Sequence, residues 1–268
     1  MAIHPLSYVH PEARIAPDVV VEPFVTIHRD VVIESGCWIG SYATVMDGVR
    51  IGRNSRIFPG AVLGGVPQDL KFEGEQSVLE IGEHVTIREY CTINRGTRAN
   101  YKTLIGSYTL LMAYVHIAHD CEIGQHCVLA NNTNLAGHIQ IGDYAILGGM
   151  VGVHQFVKIG KHAIVGGGSL VRKDVPPYVK AAREPLSYAG INSVGMRRRG
   201  FGYETIHHIQ DIYRILFVNG SNIQQALNII ESQIDATEVR DEILEFIRSS
   251  QRGIMKGFRT LSNGNKSV

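Results

Sequence analysis

Residues 129–171 read LANNTNLAGHIQIGDYAILGGMVGVHQFVKIGKHAIVGGGSLV, and every sixth residue is a branched aliphatic: Leu129, Leu135, Ile141, Leu147, Val153, Ile159, Val165 and Val171. The period extends back through Ile123, Ile117, Leu111 and Ile105, through Ile93, Ile87 and Ile81, and from Leu63 by way of Ile57, Ile51, Val45, Ile39, Ile33, Ile27, Val21, Ile15 and Val9 to Ile3. It fails only at Asp69, Glu75 and Ala99. A short fixed period marks a repeat architecture, in which each repeat buries its apolar face only against its neighbours. The residue after the aliphatic is often glycine (Gly40, Gly52, Gly82, Gly106, Gly124, Gly142, Gly160), and the fourth after it is small or β-branched (Ala43, Ala61, Val85, Val115, Thr133, Ala145). These registers predict the hexapeptide repeat of a parallel β-helix over residues 1–185, an all-β repeat with aliphatic ladders inside a narrow prism.

Two stretches interrupt the pattern, the polar segment 65–80 and the short basic segment 95–103. Loops on a rigid scaffold often carry function, though a tolerated insertion is the plainer reading of each. After Asp174-Val175-Pro176-Pro177-Tyr178 the hexapeptide pattern ends, and from about Asn192 the period turns helical. Residues 186–268 are expected to form a helical domain. Tyr203–Phe217 is its first helix, with Ile206, Ile209, Tyr213 and Leu216 on one face, stopped by Asn219-Gly220. A second helix spans 222–234, capped by Ser221, with Ile223, Ala226, Leu227 and Ile230 inward. A third runs from about Glu238 to Arg248, and the polar tail 260–268 is expected to fray.

The chain has 268 residues, 26 Lys and Arg against 25 Asp and Glu, and a net charge of +1, which argues against a nucleic-acid partner. There is no long apolar run for an integral membrane segment and no secretory leader, so a cytoplasmic protein is expected. Cys37, Cys91, Cys121 and Cys127 all fall in the small inward register and form no CxxC pair, so they are read as reduced core thiols.

Three hexapeptides make one triangular coil, so residues 18 apart stack at roughly the 4.8 Å strand spacing. Above His119 in HIAHDC (116–121) come Gly137 and then Gln155, and one edge gathers His116, His119, His138 and His154. Three readings compete for this cluster. A neutral imidazole beside Asp120 can act as a general base, with the Gly137 N–H facing an oxyanion. Prism-edge histidines can also hold catalytic zinc, or simply pack. A second column, Asn131, Gly149 and Gly167, loses its side chains toward the C-terminus and suggests a groove for something long and apolar, against a plainer reading as corner glycines.

The chain resembles the bacterial UDP-N-acetylglucosamine 3-O-acyltransferases, a hexapeptide-repeat acyltransferase family, over nearly its whole length. The resemblance rests on QDLKFEGE (68–75), HIAHDC (116–121), LANN (129–132), LAGH (135–138), GGM (148–150), VHQF (153–156), DVPPY (174–178) and RRRGF (197–201). It implies a left-handed helix, acting in the first step of lipid A biosynthesis. The substrates would be UDP-N-acetylglucosamine and a 3-hydroxyacyl-acyl carrier protein, used by a homotrimer with no metal or cofactor. By the same resemblance His119 is the general base, Asp120 its partner and Gly137 the oxyanion-hole amide. Asp69 and Lys71 hold the glucosamine, with Gln68 beside them. His116, His138 and Gln155 are further substrate contacts, and His154 supports them. Asn192 and Arg199 contact the nucleotide, with Arg198 in the same basic cluster, which would otherwise read as a solvated helix face. Gly167, with Gly149 below it, stands at the acyl-ruler position, which implies a donor of about fourteen carbons or more.

Two positions depart from the family pattern: Asn94 stands where His is frequent, and Val194 where Glu is frequent. The rival readings are the N-acyltransferase of the same pathway, for whose N-terminal uridine-binding domain a repeat beginning at Ile3 leaves no room, a zinc hydratase, and a non-catalytic scaffold.

Overall fold

The computed structural model describes residues 2–218 and 222–257. The hexapeptide segment is a left-handed parallel β-helix of three sheets, with helices following it toward the C-terminus. Successive strands along the chain fall on the first, second and third sheet in turn, as with Val20–Val21, Thr26–Ile27 and Val31–Ile33. Every sixth aliphatic points into the prism. Ile27, Ile57, Leu63, Ile87, Ile93, Ile117 and Leu147 have no exposed surface, and burying such side chains contributes roughly 1.5–3 kcal/mol each. Ile3, Val9 and Ile15, in the first coil, are only partly buried.

Inter-coil pairing fixes the register. Val20 pairs with Trp38 and His116 with Asn134, partners 18 residues apart. Across the first interruption the partners are 30 apart (Arg56 with Thr86), and across the second 24 apart (Thr86 with Leu110). The insertions therefore add twelve and six residues, whole multiples of the period, and the ladder resumes in phase. Both are shorter than the sequence suggests. Gly65 ends the strand Val62–Gly65, Val78–Ile81 is already sheet, and Lys102–Ile105 claims Lys102 and Thr103.

At the edge between the third and first sheets, aromatic rings replace the usual corner residues. His84, Tyr108, His126, Tyr144, His162 and Tyr178 all adopt positive φ, from 54° to 64°. Their rings stack at centroid spacings of 4.6–5.5 Å. The left-handed backbone costs about 1–3 kcal/mol at each such residue, and ring pairs return about 0.5–1.5 kcal/mol. Tyr178 thus extends the prism beyond the point where the sequence repeat stops. Its coil is two residues short, with Ile164 paired to Lys180, 16 apart.

The first sheet then continues through Val179–Ala182, antiparallel Ser187–Ile191 and Lys256–Gly257. The adjacent strands 179–182 and 187–191 therefore lie on either side of residue 185 in one sheet.

Helix α1 (Ser193–Arg198) is short and was not separately expected. Helix α2 spans Tyr203–Phe217 and buries Ile206, Ile209, Tyr213 and Leu216 as its period predicts. The expected stop at Asn219-Gly220, the Ser221 cap and the tail 260–268 lie outside the described residues. Helix α3 is Ile223–Gln233, capped by Asn222 in a capping box with Gln225. Ile223 is 41% exposed rather than inward, because it starts the helix ahead of the first buried residue, Ala226. Helix α4 covers Glu238–Arg248. The four cysteines are free and buried, and burial pushes the thiols of Cys91, Cys121 and Cys127 up to about 11, 12 and 12. No described helix is long and apolar enough to cross a membrane.

Burial, with Arg199 and Lys161 nearby, pushes the His162 imidazole down to about 4. Between the ordinary 6.5 and about 4 the unfolded chain takes up a proton that the fold refuses, so stability falls as pH falls through that window. His162→Phe keeps a ring in the stack and removes the titration. Denaturant unfolding at fixed protein concentration should show the wild type losing about 2–3 kcal/mol more than the variant between pH 7 and 4.5; equal losses would refute the linkage.

Candidate active site

The edge between the second and third sheets carries the histidines and both insertions. The 18-residue stacking holds there: His138 N–H donates to His119 O (3.0 Å) and Phe156 N–H to Gly137 O (3.2 Å). A cleft of about 850 Å³ opens over the second sheet beside this edge. It is lined by Gln68, Asp69, Leu70 and Lys71 of the first insertion, by His116, His119, Gly137, His154 and Gln155, and by Asn134, Gly152, Leu170 and Arg172.

His119 is 6% exposed and Asp120 1%. His119 Nδ1 lies 2.8 Å from Asp120 Oδ2. A carboxylate only accepts, so Nδ1 is the donor, and in the neutral ring that leaves Nε2 as the free acceptor. Gly137 packs on that side of the ring, since a Cβ there would sit 2.8 Å from Nε2 and 2.6 Å from Cε1. Among the described residues its N–H donates to no backbone carbonyl.

Asp120 is not left as an unpaired buried charge, which would cost several kcal/mol. Thr97 N–H and Asn100 N–H donate to Oδ1 (3.0 and 3.2 Å), and Thr97 Oγ1–H to Oδ2 (2.6 Å).

Burial disfavours the charged form of two neighbouring histidines. Desolvation lowers His116, whose Nδ1 is 2.7 Å from Thr92 Oγ1. Desolvation also lowers His138, outweighing the Asp120 charge. The His138 ring meets that of His119 edge-on at 5.0 Å and stacks on Phe156. His154 Nδ1 lies 3.2 Å from Gln155 O. On the exposed loop, the Lys71 N–H donates to Asp69 Oδ1 (3.0 Å) and holds that carboxyl below its usual range. Ligand atoms of His119, Asp120 and His138 lie within 4.8 Å of one another. Both Asp120 oxygens already accept N–H or O–H donors, so the carboxylate of this set is not free to act as a ligand in this geometry.

Other expected site residues lie elsewhere. Gly149 and Gly167 stack at the opposite end of the second sheet's strands, where Gly168 N–H donates to Gly149 O (2.8 Å). A Cβ on Gly167 would stand 3.1 Å from that oxygen. Arg199 lies over the Tyr144 ring (5.0 Å) at the edge between the third and first sheets, with Nη1 buried and without a hydrogen-bond partner among the described residues. Arg198, the last residue of α1, is exposed, and Arg199 follows it as the C-cap. Asn192 is 2% exposed and both ends of its amide are engaged: Oδ1 accepts from Gly195 N–H and Nδ2 donates to His162 O. It caps α1 and is not presented at the surface. Val194 is half exposed in that helix. Asn94 is buried and ties the first insertion through Nδ2–H to Val66 O.

Thr97, Thr92 and the outer-face column Asn134, Gly152 and Leu170 were not singled out from sequence. The last three share a column with His116, so simple 18-residue counting finds them. Thr92 lies 24 residues before its partner His116, across an insertion that the count does not correct for.

The hexapeptide description "Bacterial transferase hexapeptide (six repeats)" matches residues 30–65 and 102–137, and "Udp N-acetylglucosamine O-acyltransferase; Domain 2" matches 174–255. An acyl-[acyl-carrier-protein]–UDP-N-acetylglucosamine O-acyltransferase of Chlorobaculum parvum is 49% identical over 94% of this chain and 96% of its own. One from a Sulfurihydrogenibium species is 47% identical over 94% and 93%. A solved UDP-N-acetylglucosamine acyltransferase from Bacteroides fragilis superposes with a TM-score of 0.93 at 48% identity, covering 95% of this chain and all (100%) of that one. The Arabidopsis enzyme superposes at 0.80 with 35% identity, covering 95% and 100%.

Gly137→Ala tests the closeness of the two coils. The backbone there needs no glycine, but the new Cβ must push the His119 ring off its Asp120 bond. Turnover should fall about 100-fold, with the thermal midpoint little changed; wild-type turnover would show that the ring has room.

Proposed function

The chain belongs to the acyl-[acyl-carrier-protein]–UDP-N-acetylglucosamine O-acyltransferase family, and on that premise we propose that His119 is the general base for acyl transfer to the sugar 3-hydroxyl. The enzyme transfers an acyl group from acyl carrier protein to UDP-N-acetylglucosamine, the first step of lipid A biosynthesis. The observation that carries the mechanism is the buried His119–Asp120 pair, with Gly137 packed against its Nε2 side in a cleft that also holds Asp69 and Lys71.

His119 Nε2 takes the 3-hydroxyl proton as the oxygen attacks the thioester carbonyl carbon, while Asp120 stabilises the imidazolium that forms. The carbonyl electrons move to oxygen, which faces the Gly137 N–H. The intermediate collapses with cleavage of the C–S bond, and the departing thiolate takes the proton back from His119. The reaction needs no acyl-enzyme and no metal. The burial that disfavours a charge on His116, in the cleft, and on His138, beside His119, suits a pocket that accepts an uncharged sugar hydroxyl. Gln68, Gln155 and His154 complete the sugar contacts.

We assign a long 3-hydroxyacyl donor. The cleft covers Gly152 and Leu170, and an acyl chain laid onward over the second sheet from His119 would reach Gly149 and Gly167, one prism side away, roughly 15–20 Å at strand rise. We also assign a homotrimer with sites between subunits. In one chain the sugar loop and the Arg198–Arg199 pair stand at different edges of the prism, and Leu70 projects fully exposed (105%) from the loop. A second copy would bring its arginine edge to the first copy's cleft, where guanidinium forks fit a diphosphate. The four free thiols suit the reducing cytoplasm.

The test is acyl transfer to UDP-N-acetylglucosamine from 3-hydroxyacyl carrier proteins of graded length, with chelator present. Wild type should prefer long chains, His119→Ala should lose at least about 1,000-fold in kcat, and Gly167→Met should shift the preference to shorter donors. Loss of activity on chelation, or full activity in His119→Ala, would overturn the base assignment. An unchanged length profile in Gly167→Met would overturn the ruler.

A further inference from the structure

Asp120 Oδ2 has two imidazoles within range. His119 Nδ1 is at 2.8 Å, while His138 Nε2 is at 3.8 Å, beyond hydrogen-bond length. The two rings stand perpendicular, and the present rotation about the Asp120 Cβ–Cγ bond gives Oδ2 to His119.

That rotation is held by the second insertion. Thr97 donates to both oxygens at once, its N–H to Oδ1 and its Oγ1–H to Oδ2. Ala99 N–H donates to Thr97 Oγ1 (3.3 Å), which occupies the hydroxyl as an acceptor and directs its proton to the carboxylate. The Asp120 N–H is anchored to Thr103 Oγ1 (2.9 Å). Thr97 is buried, so no water substitutes freely.

The loop is in turn tied to the insertion that carries Asp69 and Lys71. Arg98 N–H donates to Glu75 (2.8 Å), the Arg98 guanidinium pairs with Glu73 (3.2 Å), and Ser77 Oγ–H donates to Gly96 O.

We propose that Thr97 is a positioning residue for the reaction: its hydroxyl and amide lock the Asp120 carboxylate onto His119 rather than His138, and so hold His119 in the tautomer whose Nε2 is free to accept a proton. This rests on the assignment of His119 as base. The six-residue insertion is then a clamp on the catalytic pair rather than a tolerated loop.

Two variants separate the hydroxyl from the packing. Thr97→Val removes the O–H at nearly constant shape, and Thr97→Ser keeps it. With the full-length enzyme, Thr97→Val should lower kcat about tenfold or more with KM for both substrates unchanged, the pattern of an interaction expressed in the transition state. Thr97→Ser should stay within about threefold of wild type. In parallel, ¹⁵N spectra of histidine-labelled protein should show His119 as the Nδ1–H tautomer in wild type and Thr97→Ser, and as a mixture in Thr97→Val. Should Thr97→Val not fold, Thr97→Ala carries the same expectation.

The proposal is overturned if the Val variant keeps wild-type kcat and tautomer, or if the Ser variant falls as far as the Val variant. Absence of transfer by the wild type would instead sink the functional reading, while the tautomer spectra would still decide the role of Thr97.

Discussion

Everything in this molecule depends on the hydrogen-bonded register between coils. Parallel strands of two to four residues are too short to hold a position alone. Stacked without slippage, they place residues 18 apart at one strand spacing from each other. A slip by one residue would turn each aliphatic out of the prism and each polar residue in. The buried ladder thus enforces the register, and the register places Gly137 directly over the His119 ring. The insertions obey the same constraint. They add twelve and six residues, so the chain can leave the prism, build a loop, and return in phase.

The His119–Asp120 pair shows how a rigid stack accommodates a costly group. A carboxylate with almost no exposed surface is expensive to bury, and the prism interior offers it no donors. The donors come from a loop that leaves the stack one coil earlier and returns with Thr97 and Asn100 pointing back at Asp120. The same burial disfavours a positive charge on His116 and His138 beside the pair.

Much of this was legible in the sequence because a solenoid turns spacing into proximity. The six-residue period predicted the sheets, the inward cysteines and the stacking of His119, Gly137 and Gln155. The period of Tyr203–Phe217 likewise marked the buried face of α2. What escaped was whatever the insertions displaced. Thr92 and Thr97 lie 24 and 23 residues from the histidine edge they support, and the 18-residue count points elsewhere. Tyr178 was read as the end of the repeat, since Pro176 and Pro177 obscure the last, shortened coil. Asn192 carries a nucleotide role by resemblance, and the structure adds one that the sequence did not show, its buried amide capping α1 and bonding His162 O. Capping geometry depends on where the helix starts, and a six-residue helix leaves almost no periodic signal. The separation of the expected site residues onto different prism edges was also invisible, because a linear motif does not say which edge it occupies.

The most direct test of the whole account is a crystal structure of the enzyme with UDP-N-acetylglucosamine bound. The account predicts the sugar 3-hydroxyl within hydrogen-bond distance of His119 Nε2, with the sugar against Asp69 and Lys71. It further predicts the diphosphate on Arg198 and Arg199 contributed by a neighbouring copy. A sugar bound with its 3-hydroxyl away from His119, or a nucleotide held wholly by the residues of one chain, would contradict it.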